Sequence, residues 1–265
     1  MLIVAHRGGS NGTPEDTLAA FSNAVKIGAD MIELDIHVSK DGVPVVIHDH
    51  TLERTTNGTG DVNSYTVAEL QQFDAGQGEK IPTLAEVFAL IGDRIRFILE
   101  LKTIEAVPAT VDLLRANPQV RWVGFSTHDE ALDQLRVAFP EAELSFGTMG
   151  SREASIKLAD VLGQANIAHY KSFAERLRQD AENFDIENVF ARAAELPAVK
   201  IGFYYESIDA GMVDLVHTRG YQIGAFTVND VAEGKRLLAL GVDSLTTDDP
   251  AAMIAMVAEA GVAIA

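Results

Sequence analysis

The feature that most constrains this chain is an alternation that runs its whole length: short apolar runs, each followed by a stretch with helical spacing. Strand-like runs fall at Leu2 to Ala5, Met31 to Ile36, Arg96 to Leu101, Arg121 to Phe125, Glu143 to Phe146, Val199 to Tyr204, Gln222 to Phe226 and Val242 to Thr246. Helical patterns between them include Thr17 to Ile27, Leu84 to Ile91, Ala106 to Ala116, Glu130 to Phe139, Ala210 to Arg219 and Val231 to Leu240, with Gly28, Gly92, Gly220 and Gly241 as stops. Near-continuous apolar strands are buried on both faces, which parallel sheets covered by helices require. Eight such units in 265 residues predict an α/β fold, a (β/α)8 TIM barrel forming one domain over residues 1–265. An open, doubly wound sheet is the alternative.

Two stretches exceed the alternation. The first, an inserted segment at about 43–82 after the second strand, starts with Val43-Pro44-Val45-Val46-Ile47, a hairpin strand by its pattern, and runs into the polar turn region Thr56-Asn57-Gly58-Thr59-Gly60. The second covers 149–199, where two or three helices are expected within one connection and no role is assigned.

Charge and composition restrict partners more than fold. A formal net charge of -18 argues against nucleic acid or an anionic membrane as a standing partner, since both demand a basic footprint. The N-terminal apolar run is too short for a signal sequence and no run approaches a membrane span, so a cytoplasmic location is expected without stable membrane association. The chain has no cysteine, which excludes disulfides, thiolate metal sites and a cysteine nucleophile. Its oligomeric state is left open.

In a (β/α)8 barrel the reactive side chains gather at the C-terminal ends of the strands. Strand one ends in His6-Arg7, strand two carries Glu33 and Asp35, and strand three ends in Glu100-Leu101-Lys102. Residues two apart share a face, so Glu33 projects with Asp35 and Glu100 with Lys102. A single Glu-x-Asp at a strand end reads as surface charge. Three carboxylates on neighbouring strand ends read instead as ligands of one divalent metal ion, Mg2+ or Ca2+ with Mn2+ as a further candidate, because hard cations take oxygen ligands. His6 alone would be a structural histidine, but His48, after the hairpin strand, adds a second imidazole able to share acid and base roles. Asp49 either fixes the tautomer of His48 or is a turn residue. Arg7 and Lys102 suit phosphate or, alternatively, structural ion pairing. His37, His50, His128, His169 and His217 carry no comparable support. With a divalent ion, Arg7 and Lys102 set against three carboxylates, the pocket is slightly positive and can hold an anionic ester despite the acidic surface.

The chain resembles the glycerophosphodiester phosphodiesterase family in Ala5-His6-Arg7-Gly8-Gly9-Ser10, Pro14-Glu15-Asp16-Thr17-Leu18-Ala19-Ala20-Phe21, Gly28-Ala29-Asp30-Met31-Ile32-Glu33-Leu34-Asp35-Ile36 and Lys40-Asp41-Gly42-Val43-Pro44-Val45-Val46-Ile47-His48-Asp49. Leu52-Glu53-Arg54-Thr55-Thr56-Asn57-Gly58, Leu99-Glu100-Leu101-Lys102, Phe226-Thr227-Val228-Asn229, Gly241-Val242-Asp243 and Thr247-Asp248-Asp249-Pro250 continue it. The resemblance is dense over 5–102, returns over 220–250 and is faint between. It implies hydrolysis of a small-molecule glycerophosphodiester to an alcohol and sn-glycerol 3-phosphate, with a metal on Glu33, Asp35 and Glu100 and catalytic His6 and His48. It also implies phosphate contacts from Arg7 and Lys102, with Glu15 in a supporting network. Asp16 stands where the family usually has Asn, so amide donors beside Glu15 are lost; Phe226 stands where it usually has Trp, at a contact to the organic part of the substrate. The competing readings are a related phosphodiesterase acting on lysophospholipid, phosphoinositide or sugar phosphodiesters, and a catalytically retired phosphodiester-binding protein.

Overall fold

Side chains alternate across a strand, so each apolar run sends one set of residues outward under the helices and the other into the enclosed space. The computed structural model describes residues 1–164 and 168–261, apart from the side chains of 168–170, 172 and 173. Its strands are β1 (Leu2–Ala5), β2 (Met31–Val38), β3 (Pro44–Val46), β4 (Arg96–Leu101), β5 (Trp122–Phe125), β6 (Leu144–Thr148), β7 (Lys200–Tyr204), β8 (Gln222–Phe226) and β9 (Ser244–Thr247). They run in the order β1-β9-β8-β7-β6-β5-β4-β2-β3, and β1 also pairs with β2 through Val4 opposite Met31. That pairing closes a ring of eight parallel strands, so the fold is a (β/α)8 barrel and the open sheet is excluded. The strand β3 lies outside the ring, antiparallel to β2.

The helices are α1 (Leu18–Ile27), α2 (Val67–Leu70), α3 (Leu84–Ile91), α4 (Val107–Ala116), α5 (Asp129–Ala138), α6 (Arg152–Gln164), α7 (Ala168–Glu182), α8 (Ile186–Glu195), α9 (Ala210–Thr218), α10 (Val231–Leu240) and α11 (Pro250–Glu259). None of those described is long and apolar enough to cross a membrane. The outward strand residues, among them Ile3, Ile32, Leu34, Phe97, Leu99, Ile201, Phe203, Ile223 and Leu245, form the main core with the helices. Caps fix where the helices start: Thr17 Oγ1 accepts the Ala20 N–H at 3.3 Å, and Asp249 Oδ1 accepts that of Ala252 at 3.0 Å. Gly28 and Gly241 end α1 and α10 in the left-handed conformation. At Gly8, with φ of 83°, an added Cβ would lie 2.8 Å from the Ala20 Cβ, so the turn after β1 packs directly on α1.

The barrel interior is lopsided. On one side Val4, Met31, Ile98 and Val123 make a small apolar cluster, with Leu2 and Phe125 against it. The β6 to β9 side is lined by Ser145, Gly147, Gly202, Gly224, Ser244 and Thr246, small residues that leave space.

The segment 43–82 has a buried cluster of its own, Val45, Ile47, Leu52, Val62, Leu70, Ala75 and Ile81, with Tyr65 and Phe73 edge to face at 5.4 Å. The segment 149–199 contains α6, α7 and α8; Ala159, Ala174 and Leu177 pack between the first two, and α8 sends Phe190 and Ala193 to the main core. Residues 165–167 and the side chain of His169 lie outside what is described. Several boundaries shift by one or two residues: β6 runs to Thr148 and β9 starts at Ser244, because ladder partners rather than apolar character decide where pairing begins.

Because Leu52 is fully buried in the satellite cluster, Leu52→Ala is expected to cost about 2 to 5 kcal/mol of unfolding free energy by urea titration. A loss below about 1 kcal/mol would mean that the segment collapses around the hole.

Candidate active site

The C-terminal ends of β1, β2 and β4 bring the predicted carboxylates together. Glu33 and Asp35 leave β2 on one face, Glu100 leaves the adjacent β4, and one oxygen from each lies within 4.8 Å of the others. The backbone of Arg7 turns into the left-handed region at φ 51°, which aims its N–H at Glu33 Oε2, 3.0 Å away. Its guanidinium donates to Glu15 Oε1 at 2.8 Å and approaches Asp35 Oδ2 to 3.3 Å. Lys102 Nζ lies 2.7 Å from Glu100 Oε1 and 3.2 Å from Asp35 Oδ1. Both cations are thus ion-paired with the acidic cluster.

Oxygen accounting shows what the cluster lacks. Glu33 Oε1 and both Asp35 oxygens are buried without a hydrogen-bond donor, Asp35 having only the looser ion-pair approaches of Arg7 and Lys102. Burial drives the Glu33 carboxyl well above its usual range, reinforced by Asp35 and Glu100. Burial acts the same way on Asp35, but Lys102, His48 and Arg7 outweigh it and hold that carboxyl far below its usual range. Orphaned, buried, exclusively oxygen donors on three sides fit a hard divalent cation.

Each predicted histidine is gripped at Nδ1 by a carboxylate. His48 Nδ1 lies 2.6 Å from Asp49 Oδ1, and Asp49 is fixed in turn by Arg54, whose Nε and Nη2 donate to it at 2.8 and 3.0 Å. Arg54 also donates twice to Glu15, at 2.8 and 2.9 Å, so that Glu15 and Asp49 share one guanidinium. His6 Nδ1 lies 2.7 Å from Asp248 Oδ1, and its Nε2 lies 3.9 Å from Glu33 Oε2. Asn229 donates to Asp248 Oδ2 at 2.6 Å and accepts the Asp248 N–H at 2.9 Å. A carboxylate at Nδ1 fixes the tautomer that carries its proton there and leaves Nε2 for chemistry.

Asp248, Asn229 and Arg54 carried no assigned role in the sequence reading. His37 also gains one: it is buried, held near pKa 4 by that burial, and its Nε2 lies 3.1 Å from the His48 carbonyl oxygen, which ties β2 to the loop bearing His48. No local pattern marks these pairings.

Asp16 is buried with both carboxylate oxygens unpartnered, and Arg7 and Arg54 supply the donors that hold Glu15. Burial, then Asp35 and Glu33, push the Asp16 carboxyl well above its ordinary range. Phe226, at the end of β8, lies over Gly147 and Gly202, where an added Cβ would come within 3.3 and 3.2 Å of its ring. These residues border a cavity of about 420 Å³ that opens beside His6, Glu33 and Glu100, is partly roofed by Met149, Leu177 and Phe184 of the 149–199 segment, and descends into the barrel.

Comparison with known proteins identifies the family. The model of the glycerophosphoryl diester phosphodiesterase family matches residues 6–252. The glycerophosphodiester phosphodiesterase of Caldanaerobacter subterraneus subsp. tengcongensis is 32% identical over 98% of this chain and 99% of its own. That of Bacillus subtilis is 29% identical over 94% of this chain and 84% of its own. Among solved structures, a phosphodiesterase of Oleispira antarctica in complex with the product sn-glycerol-3-phosphate is 27% identical, with a TM-score of 0.78 over 97% of each chain. A glycerophosphodiester phosphodiesterase of Agrobacterium tumefaciens is 28% identical, with a TM-score of 0.72 over 96% of this chain and 99% of that one. With its barrel closed, its strand-end carboxylates assembled and nearly its full length matched, the chain belongs to the glycerophosphoryl diester phosphodiesterase family.

Proposed function

We propose that this protein hydrolyses glycerophosphodiesters to an alcohol and sn-glycerol 3-phosphate, using one divalent metal ion and two histidines. The observation that carries the reading is the pair of carboxylate-held imidazoles beside the Glu33, Asp35 and Glu100 cluster. The family membership and the product bound to the Oleispira antarctica relative support it.

Glu33, Asp35 and Glu100 would hold the cation, Mg2+ or Ca2+ by their all-oxygen chemistry and Mn2+ as the next choice. Bound there, it supplies charge neutralisation to the phosphoryl oxygens. Arg7 and Lys102, now ion-paired with the cluster, contribute positive charge on either flank of the same anion. One imidazole takes a proton from the attacking hydroxyl as the new P–O bond forms; water gives the monoester directly, whereas the substrate's own glyceryl 2-hydroxyl gives a cyclic phosphate that a second attack, by water, opens to glycerol 3-phosphate. The other gives a proton to the alcohol oxygen as its bond to phosphorus breaks. Asp248 and Asp49 keep the two rings aimed through this exchange, and Phe226 packs on the organic part of the substrate. On this reading the 43–82 segment belongs to the same catalytic domain, since it delivers His48, Asp49 and Arg54 to the barrel end.

The direct test is release of glycerol 3-phosphate from glycerophosphocholine, glycerophosphoethanolamine and glycerophosphoglycerol, with EDTA and after Mg2+ or Ca2+ is restored. Metal-dependent release is expected, and no release from any of them would move the reading to another phosphodiester. Glu33→Gln and Glu100→Gln should lose activity together with metal affinity in calorimetric titration, and normal turnover in either would refute the site.

Asp248→Asn should keep the metal affinity and lower kcat by about 10- to 100-fold, the range found when an orienting partner is removed. An equal fall in kcat and in metal affinity would show instead that Asp248 supports the cluster rather than the ring.

A further inference from the structure

One buried charge has no part in that chemistry. Among the described cavity-lining residues of β6, β7, β8 and β9, Lys200 is the one charged side chain. It is 9% exposed, and its Nζ has no hydrogen-bond or ion-pair partner among the described residues. Burial lowers its ammonium to about 8, with Arg96 adding to the effect and Asp243 and Glu143 only partly opposing it. Its stem runs past Gly224, whose added Cβ would lie 3.4 Å from Lys200 Cδ and 3.0 Å from Ser244 Oγ. Ser244 Oγ is itself buried without a partner, and Ser145 stands beside Lys200 in the β6–β7 register. The floor of the cavity therefore presents a cation and two hydroxyls around a space kept open by glycine.

Ladder register places this group relative to the metal-site carboxylates. Followed around the barrel in both directions from Glu33, the pairing puts Gly202 at the same level on the opposite wall, and Lys200 one layer lower. Two strand residues advance about 6 to 7 Å, somewhat less along the tilted barrel axis. Lys200 thus stands deeper in the same cavity, on the wall facing the carboxylates, where the alcohol half of a phosphodiester held at the cluster would extend. An ammonium taken out of water without a counter-ion is costly, and two hydroxyls cannot supply the missing charge.

Resting on the phosphodiesterase reading, we propose that Lys200, with Ser145 and Ser244, forms an anion subsite on the cavity floor that receives an acidic group carried by the alcohol half of the substrate. The enzyme then prefers glycerophosphodiesters whose alcohol bears a carboxylate a few bonds from phosphorus.

Glycerophosphoserine and glycerophosphoethanolamine differ by that one carboxylate. With metal-loaded enzyme, the ratio of their kcat/KM values should favour the seryl ester, and Lys200→Met should lower the ratio by about tenfold or more, the worth of a charge-assisted contact. Ser244→Ala should lower it severalfold, and it carries the test if the Met variant fails to give a cooperative melt by circular dichroism. Equal losses on both esters would put the neutral glyceryl half on the floor and overturn the proposal, as would an unchanged ratio. Calorimetric binding of O-phosphoserine against phosphoethanolamine needs no turnover. Tighter phosphoserine binding that disappears in Lys200→Met supports the subsite even if neither ester is cleaved, an outcome that would refute only the hydrolytic reading; equal binding of the two overturns the subsite.

Discussion

Three carboxylates held inside a protein within 4.8 Å of one another repel, and the structure is organised around offsetting that repulsion. Arg7 and Lys102 flank the cluster, and Arg54 stands one step further out, neutralising Glu15 and Asp49 together. The three carboxylates stand on β2 and β4, Lys102 directly follows β4 and Arg7 lies on the turn after β1, so barrel geometry rather than flexible side-chain reach sets their spacing. Buried oxygens still lacking donors, Glu33 Oε1 and both of Asp35, mark where compensation from within the chain runs out. On the proposed reading a divalent cation would complete it.

The same economy explains the inserted segment. A hairpin strand beside β2 and a small core of its own give a rigid base for a loop carrying His48 and Asp49, and His37 clamps the carbonyl of that loop from within β2. The opposite imidazole is mounted differently, on the turn after β1 with its partner on the turn after β9. Two histidines thus approach one cluster from independently supported elements, which lets each ring keep a separate orientation.

Much of this was legible in the sequence. Eight buried strands are nearly continuous apolar runs because helices cover them on one side and the barrel interior on the other, so pattern alone located them. Glu33, Asp35, Glu100 and Lys102 were legible because period-two geometry tells which strand-end residues face together. The orienting groups were not. Arg54 is 39 residues from Glu15 and Asp248 is 242 residues from His6, distances over which no local rule operates. Lys200 was not marked within the apolar run from Val199 to Tyr204, because only the closed barrel shows that it faces the cavity.

Closure of the ring has a consequence for how the molecule comes into being. β1 is hydrogen-bonded on one side to β2 and on the other to β9, so its second edge is covered only by a strand far along the chain, a pairing of very high sequence separation. The His6 and Asp248 pair straddles that seam. A chain without β9 would carry every acidic residue of the cluster and the braced His48, yet leave His6 without the carboxylate that holds its ring.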